Sequence, residues 1–348
     1  MNPVTTSSSL LGKHSNIDQE KAQSIQDTTA RKIPEFESAT PEGKHIAQRG
    51  VEWLNYGDPK IWDLEFENAV TNAVDSIKKN DLKSSNIIEH FEKTRKHIAL
   101  KRNNEKFNLF GLRRDLNTGG ALFNNKSCYT KINRKSKAYG YALERAVKIP
   151  YDKKHFFNLI SDDGLLWARK HFYGGGATGE LRYGLVHGHI DDTPIPLTQY
   201  VFCPRESGNR RYESERWFGV GDDDYIGDNQ ESGLWLHTGR EQIPIVLEHV
   251  RNLIDKAISG DLSVIPRIHW WYVHLAPTCR GSGGIAEMLT NTLCRLHGID
   301  LPAWKKGIAP SVEVLLEPNE EKFCSNYRLL FEQGEKKLKE VFQPELDA

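Results

Sequence analysis

The sequence predicts a mainly α-helical domain that carries a small β element. Apolar residues recur at steps of three and four from 51 to 77, from 87 to 100 and most clearly in the last third of the chain, which is typical of helices that bury one face. Between 172 and 202, apolar and polar residues alternate and are flanked by Gly and Pro, which predicts short strands. A further hairpin is predicted near 120–140, where the apolar runs are short.

The N-terminal segment differs in composition from the rest of the chain. Residues 1 to 48 are rich in Ser, Thr, Asn, Gln and Lys and have no apolar periodicity. Such a segment buries too little apolar surface to offset the entropy of ordering it. We therefore predict a disordered polar tail over 1–48 and one domain over 49–348. Asn2 follows Met1, where N-myristoylation needs glycine, so no N-myristoylation site is predicted.

Charge, hydropathy and cysteine content argue against several classes of function. The 47 Lys and Arg are balanced by 47 Asp and Glu, which disfavours a nucleic-acid partner. No run of 18 apolar residues exists, so no transmembrane segment is predicted. The five cysteines are scattered without a C-x-x-C pair, which predicts reduced thiols and no metal site.

The last third of the chain begins with two adjacent helices. The first is predicted from Gln242 to Ser259, with Pro244 tolerated in its first turn. Ser263 is the expected N-cap of the second, which runs to Leu275 and is apolar nearly all round. A helix of that kind belongs in the interior of the domain.

The segment after the second helix has the composition of an anion site. It consists of Thr278-Cys279-Arg280-Gly281-Ser282-Gly283-Gly284 and precedes a helix predicted over Ile285–His297. Glycines at a helix N-terminus let backbone amides converge on an anion, and the helix dipole adds positive charge there. Arg280 can clamp a phosphate with two hydrogen bonds. A tight turn between helices, with a surface arginine, is the alternative interpretation.

A dense set of motif positions surrounds this loop. They are His237-Thr238, Pro244-Ile245, His249, Arg267, His269-Trp270-Trp271, Pro277, Arg280-Gly281-Ser282, His297-Gly298-Ile299 and Leu301-Pro302. Together these positions resemble the central helix-loop-helix of the Fic/Doc/AvrB superfamily, and within it the AvrB-like effectors. The resemblance implies a Fido-like helical core with a small β element.

The loop departs from the motif of Fic enzymes that transfer AMP. Laid on this chain, their H-P-F-x-x-G-N-G-R falls on Ala276 to Gly284, so the catalytic His is Ala276 and the terminal Arg is Gly284. Loss of a positioned general base costs about 10²–10⁴-fold in rate, so AMP transfer by that mechanism is not expected. The acidic residue that the AvrB-like family places two positions before Glu313 is Ser311 here.

AvrB-like proteins share this altered loop, and their chemistry implies a glycosyltransferase. The enzyme would move a sugar, of the rhamnosyl type, from a nucleoside diphosphate sugar to a Ser or Thr hydroxyl of a plant immune-regulator protein. By resemblance, Arg280 would be the catalytic residue, stabilising charge on the leaving group, and Gly281, Ser282 and Gly283 would bind the diphosphate. The donor sugar nucleotide would be a substrate, and no tightly bound cofactor is expected.

Five further residues are candidates for the substrate pocket. His237 and Thr238 match the family's pocket motif and are expected to contact nucleotide or sugar, although a His-Thr pair before a helix is also an ordinary N-cap. Arg182 and His187 lie by the predicted strands, where His187 could instead bond backbone. Tyr139 is the fifth. His269 is expected to be a buried, hydrogen-bonded core residue.

Two other functions stay open at this point. One is a nucleotidyl or phosphoryl transferase that uses His187 or His237 as its base, and the other is a catalytically inactive module that binds a host protein. The resemblance also implies a type III effector delivered into the host cell cytoplasm, for which the polar tail would be the candidate secretion leader.

Overall fold

The computed structural model describes residues 59–114, 129–133, 182–203, 232–305, 308–334 and 338–342. The chain divides into two units, Met1–Thr40 and Pro41–Ala348, and every described residue belongs to the second. The predicted tail and its boundary at 48 lie outside the described residues and stay a prediction.

The described part of the chain is mainly helical, as the periodicity predicts. Its α-helices are α1 Pro59–Lys78, α2 Ser84–Lys101, α3 Ile243–Ile258, α4 Ile265–Leu275, α5 Ser282–Leu296, α6 Pro310–Leu315, α7 Glu320–Asn326 and α8 Lys339–Phe342. Short 3-10 turns occur at Phe107–Leu109, Arg240–Gln242, Leu262–Val264 and Tyr327–Leu330. None of the helices in these described ranges is long and apolar enough to cross a bilayer.

Helix α4 forms the centre of the core. All but one of its residues are buried, including Trp270 and Trp271, and α3, α5, α6, α7 and one strand pack around it. An apolar surface on every side is what an internal helix needs, so the predicted interior position is confirmed. Helices α1 and α2 lie against α5, which brings them to the loop between α4 and α5.

Four strands of the described part of the chain form one antiparallel sheet. They are β1 Tyr129–Asn133, β2 Arg182–Ile190, β3 Thr193–Cys203 and β4 Ser232–Leu236, in the spatial order β1-β4-β3-β2. The predicted strand element near 172–202 is thus confirmed over its described part. Within the described ranges, strand β1 pairs with β4, about a hundred residues away along the chain. The other residues of the hairpin predicted near 120–140 lie outside the described residues.

Two helix starts differ from the sequence prediction. Ser263 does not cap α4, because Asp261 accepts its amide N–H at 3.2 Å and a 3-10 turn leads into the helix, whose N-cap is Val264. Helix α5 begins at Ser282, three residues earlier than predicted, so Gly283 and Gly284 belong to its first turn.

Candidate functional site

The C-terminal end of α4 is held by hydroxyl groups from the sheet side. Thr198 on β3 and Thr238 after β4 each donate from Oγ1 to the backbone carbonyl of His274 at 2.9 Å. Both threonines are fully buried. They satisfy a carbonyl that the helix end leaves without an intrahelical partner. This bond gives Thr238 a structural role, and its contact with nucleotide or sugar stays a prediction.

A buried arginine caps the same helix end from the other side. Arg114 donates from Nη2 to the carbonyl of Leu275 at 2.8 Å and from Nε to that of Ala276 at 2.7 Å. Its side chain is 2% exposed. A cation at a helix C-terminus complements the negative end of the dipole. Ala276 ends the helix in the left-handed region, with φ of 43°, and the chain turns there into the loop.

The first half of the loop pairs with the segment that follows α2. The amide of Cys279 donates to Leu112 at 2.7 Å, that of Arg280 donates to Leu109 at 3.1 Å, and the carbonyl of Arg280 accepts from Gly111 at 3.0 Å. These bonds fix the loop against residues 109–114. They also use two of the amides that the composition predicted to be available to an anion.

Side chains inside the loop complete its shape. The Thr278 hydroxyl lies 2.7 Å from the Ser282 hydroxyl and donates to the carbonyl of Arg280 at 2.9 Å. The Ser282 oxygen also accepts the amide of Thr278 at 3.2 Å. The hydroxyl of Ser282 therefore serves the loop, while its backbone N–H remains in the first turn of α5.

Each loop glycine is matched to a close neighbour. Gly281 has φ of 91°, and a Cβ there would lie 2.7 Å from Cγ of Arg95. On Gly283 a Cβ would lie 2.8 Å from Cβ of Ser311, and on Gly284 it would lie 2.7 Å from the ring of Trp62. Contacts under 3.0 Å force a neighbour to move, so packing as well as amide exposure demands glycine here.

The N-terminus of α5 presents unpaired donors beside Arg280. Within the described ranges, no acceptor takes the backbone N–H of Ser282, Gly283 or Gly284, and no side chain caps the helix. The Arg280 side chain is partly exposed and has no hydrogen-bond or ion-pair partner among those residues. Orphan amides, the positive end of the dipole and a guanidinium together suit a phosphate.

His237 lies beside the same helix end, just before Thr238. Removal of its ring from water lowers the pKa of His237 to about 3, and the charge of Arg114, then that of His274, adds to the fall. Burial likewise lowers the pKa of His274 to about 3. Both rings are neutral at physiological pH. A base this weak is poorly matched to removing a hydroxyl proton at neutral pH.

The remaining sequence candidates lie on or near the sheet. Arg182 is the first residue of β2, and its side chain is outside the described part. His187 is half-buried in β2, opposite Pro196 and next to a shift in register. Tyr139 lies outside the described residues. A place for these three residues in the pocket stays a prediction.

His269 is confirmed as a core residue. Its ring is fully buried in α4, and Nδ1 lies 2.8 Å from the hydroxyl of Tyr327. Aromatic rings of Trp304 and Phe323 pack edge-on against it.

Comparison with known proteins identifies the region that carries the loop. Residues 170–334, just under half of the chain, match the AvrB_AvrC family model, described as avirulence protein. A stretch of 102 residues is 36% identical to Avirulence protein B of Pseudomonas savastanoi pv. glycinea, covering 28% of this chain and 32% of that protein. Over this region the chain is similar to that family. It aligns with about a third of the length of that curated relative.

Two arginines that shape the site lie upstream of the AvrB-like region, and sequence analysis missed both. Arg114 caps α4 across more than 160 residues, and Arg95 packs on Gly281 from α2. Nothing in the local pattern marks them, because a charged residue on an amphipathic helix or in a loop is ordinarily solvated. Only the fold shows that both are buried against the AvrB-like loop.

Proposed function

We propose that the protein is an AvrB-like avirulence effector with a Fido-type core that transfers a sugar, of the rhamnosyl type, to a host protein. The donor is a nucleoside diphosphate sugar and the acceptor is a Ser or Thr hydroxyl of a plant immune-regulator protein. The AvrB-like match over residues 170–334 supports the effector class. The name of that relative, Avirulence protein B, supports secretion into a host. Delivery into the host cytoplasm by type III secretion is part of the proposal.

One observation carries the proposal for a diphosphate donor. The first turn of α5 offers the amides of Ser282, Gly283 and Gly284, and Arg280 stands directly before it with no described side-chain partner. A diphosphate carries enough negative charge to use both the helix end and the guanidinium fork. The segment 109–114 fixes the loop before any ligand arrives, which limits the entropy lost on binding.

The transfer needs little from the protein beyond this anion site. The bond between the anomeric carbon and the diphosphate oxygen breaks, and its electron pair leaves with the nucleoside diphosphate. A new bond forms between that carbon and the acceptor oxygen, whose proton leaves to a base. Arg280 stabilises the growing charge on the departing diphosphate.

The same geometry disfavours AMP transfer. The position of the Fic histidine is Ala276, a buried residue in a left-handed turn. The nearby His237 is a weak base, since burial lowers its pKa to about 3. Glycosyl transfer depends less on early deprotonation of the acceptor, because its transition state is oxocarbenium-like and the bond to the departing diphosphate is already largely broken.

The test compares ligand binding by wild type and by Arg280→Ala. Binding is monitored as the rise in thermal stability caused by uridine and thymidine nucleotides and by their rhamnose-bearing forms. A ligand at 100 times its Kd adds about 2.7 kcal/mol of stability. Loss of a charge-assisted clamp should weaken the sugar nucleotides by about 10- to 100-fold. Lys93→Ala, an exposed basic residue on α2, is the matched control.

The outcomes separate the three candidate functions. Stabilisation by a rhamnose nucleotide that Arg280→Ala loses, with deoxyhexosyl transfer to a host protein, supports the proposal. A response to ATP or ADP alone favours nucleotidyl or phosphoryl transfer. No response to any nucleotide favours a binding module without catalysis. Unchanged binding by Arg280→Ala contradicts the assignment of the site.

A further inference from the structure

The loop before α5 rests on a second stretch of backbone, residues 109–114, which we call the support segment. Among the described residues, four backbone hydrogen bonds of 2.7 to 3.1 Å join the loop to this segment. One of them runs from the amide of Arg114 to the carbonyl of Pro277, beside an antiparallel bridge between Arg113 and Thr278. The position of the loop therefore follows the position of the support segment.

Helix α2 holds the support segment at Glu92. Both carboxylate oxygens of Glu92 accept from Arg113, at 3.1 Å from Nε and 2.7 Å from Nη2. The backbone carbonyl of Glu92 lies under Gly111, so close that a Cβ there would collide with the oxygen. Gly111 also has φ of 68°, a conformation that glycine adopts without strain. A two-bond fork fixes the orientation of the segment as well as its distance from α2.

The carboxylate of this pair is shielded from solvent. The side chain of Glu92 is 8% exposed and that of Arg113 is 34% exposed. Burial raises the pKa of Glu92, and the charge and hydrogen bonds of Arg113 oppose that rise. Solvent and salt screen a partly buried pair less than a surface pair, so this contact holds the segment more firmly than an exposed ion pair would.

We propose that Glu92 and Arg113 are positioning residues of the anion site, which hold the support segment so that the loop presents Arg280 to a diphosphate. The inference rests on the proposed function and deepens it, because it adds a part of the site that lies upstream of residues 170–334. Neither side chain needs to touch the ligand. Their effect passes through the backbone hydrogen bonds of Cys279 and Arg280 to the support segment.

The first test follows amide hydrogen exchange in the protein without ligand. It compares wild type with Glu92→Gln, Arg113→Gln and the double variant, which lose the ion pair and keep polar side chains. We expect the amides of Cys279 and Arg280 to exchange about tenfold faster and those of α4 to stay as protected as in wild type, because the opening is local. The double variant should exchange no faster than the single variants, since the two side chains act as one unit.

The second test measures binding of uridine, thymidine and their diphosphates by calorimetry with the same variants. A displaced loop should weaken the diphosphates about tenfold and the nucleosides little, because the loop serves the phosphates. Lys322→Gln is the matched control, since it breaks an exposed ion pair of α7 with Glu317. It should leave both the exchange of the loop amides and the binding unchanged.

The two measurements separate failure of this inference from failure of the proposed function. Unchanged exchange of the loop amides, or equally faster exchange throughout α4, overturns the positioning role. Faster loop exchange with undiminished diphosphate binding overturns it as well. Should a single variant fail to fold, the double variant removes both charges of the pair and gives the same readouts. Undiminished diphosphate binding by Arg280→Ala contradicts the proposed function instead.

Discussion

The hydroxyl of Thr238 donates to the backbone carbonyl of His274, and the hydroxyl of Thr198 donates to the same oxygen. The two bonds join β3 and the segment after β4 to the last turn of α4. The loop that follows α4 is thus anchored to the sheet two residues before it begins. Mutations at these threonines separate a structural role from a role in binding.

Replacement of Thr238 by Val should destabilise the fold and spare ligand binding. The loss of one buried hydrogen bond costs about 1 kcal/mol, and Thr198 still satisfies the carbonyl. Thr198→Val should behave in the same way. The double variant should lose more unfolding free energy than the sum of the two single losses, because the His274 carbonyl is then buried without either hydroxyl. Urea unfolding measures all three. A stable Thr238→Val that binds no nucleotide sugar would instead favour a direct contact.

The free energy of unfolding should fall as the pH is lowered, because His237 and His274 are held neutral in the folded protein. Folding lowers the pKa of His237 and His274 from the ordinary 6.5 to about 3. Below about pH 6.5 the unfolded chain therefore binds more protons than the native state. The stability that the two neutral histidines contribute is fully present above that pH. It is lost as the pH falls toward 3, at about 1.4 kcal/mol per pH unit for each ring.

His274→Phe checks this dependence in a matched way. The variant keeps an aromatic ring beside Trp270 and removes one titrating group. The slope of unfolding free energy against pH between 4 and 6 should become shallower by about 1.4 kcal/mol per unit. An unaltered slope in His274→Phe would show that its ring is not held neutral by burial.

The hairpin between β2 and β3 should gain stability from one glycine. Its turn residues Asp191 and Asp192 have φ of 47° and 62°, and the flanking Ile190 and Thr193 pair with each other. A two-residue turn with both φ positive favours glycine at the second position. Asp192→Gly should raise the free energy of unfolding by about 0.5–1 kcal/mol, measured in urea, while Asp192→Val should lower it. A loss of stability in the glycine variant would contradict this turn geometry.

The sequence predicted the elements whose pattern is local and missed those set by distant neighbours. The apolar periodicity predicted both ends of α3 to within one residue, and it predicted the interior position of α4. It placed the start of α5 too late, because Gly283 and Gly284 resemble loop residues until Ser311 and Trp62 are seen to require them. In the site, the pattern indicated Arg280 and its glycines. The burial of Arg95 and Arg114 depends on contacts across more than 160 residues, which no local period encodes.

Tyr272 should tolerate the loss of its hydroxyl better than other buried tyrosines. The side chain is fully buried in α4, and within the described ranges no group hydrogen-bonds to its oxygen. The nearest charges are already paired, since both carboxylate oxygens of Glu92 accept from Arg113. A buried hydroxyl without a partner costs about 1–3 kcal/mol. Tyr272→Phe should therefore leave the unfolding free energy unchanged or raise it.

Tyr327→Phe is the matched comparison, because its buried hydroxyl lies 2.8 Å from Nδ1 of His269. That variant should lose about 1 kcal/mol of stability, because it removes the hydrogen bond between the Tyr327 hydroxyl and His269. Urea unfolding of the two phenylalanine variants beside wild type gives the difference directly. If Tyr272→Phe is destabilised as much as Tyr327→Phe, its hydroxyl is satisfied in solution, and an ordered water between Tyr272 and Glu92 becomes the physical explanation.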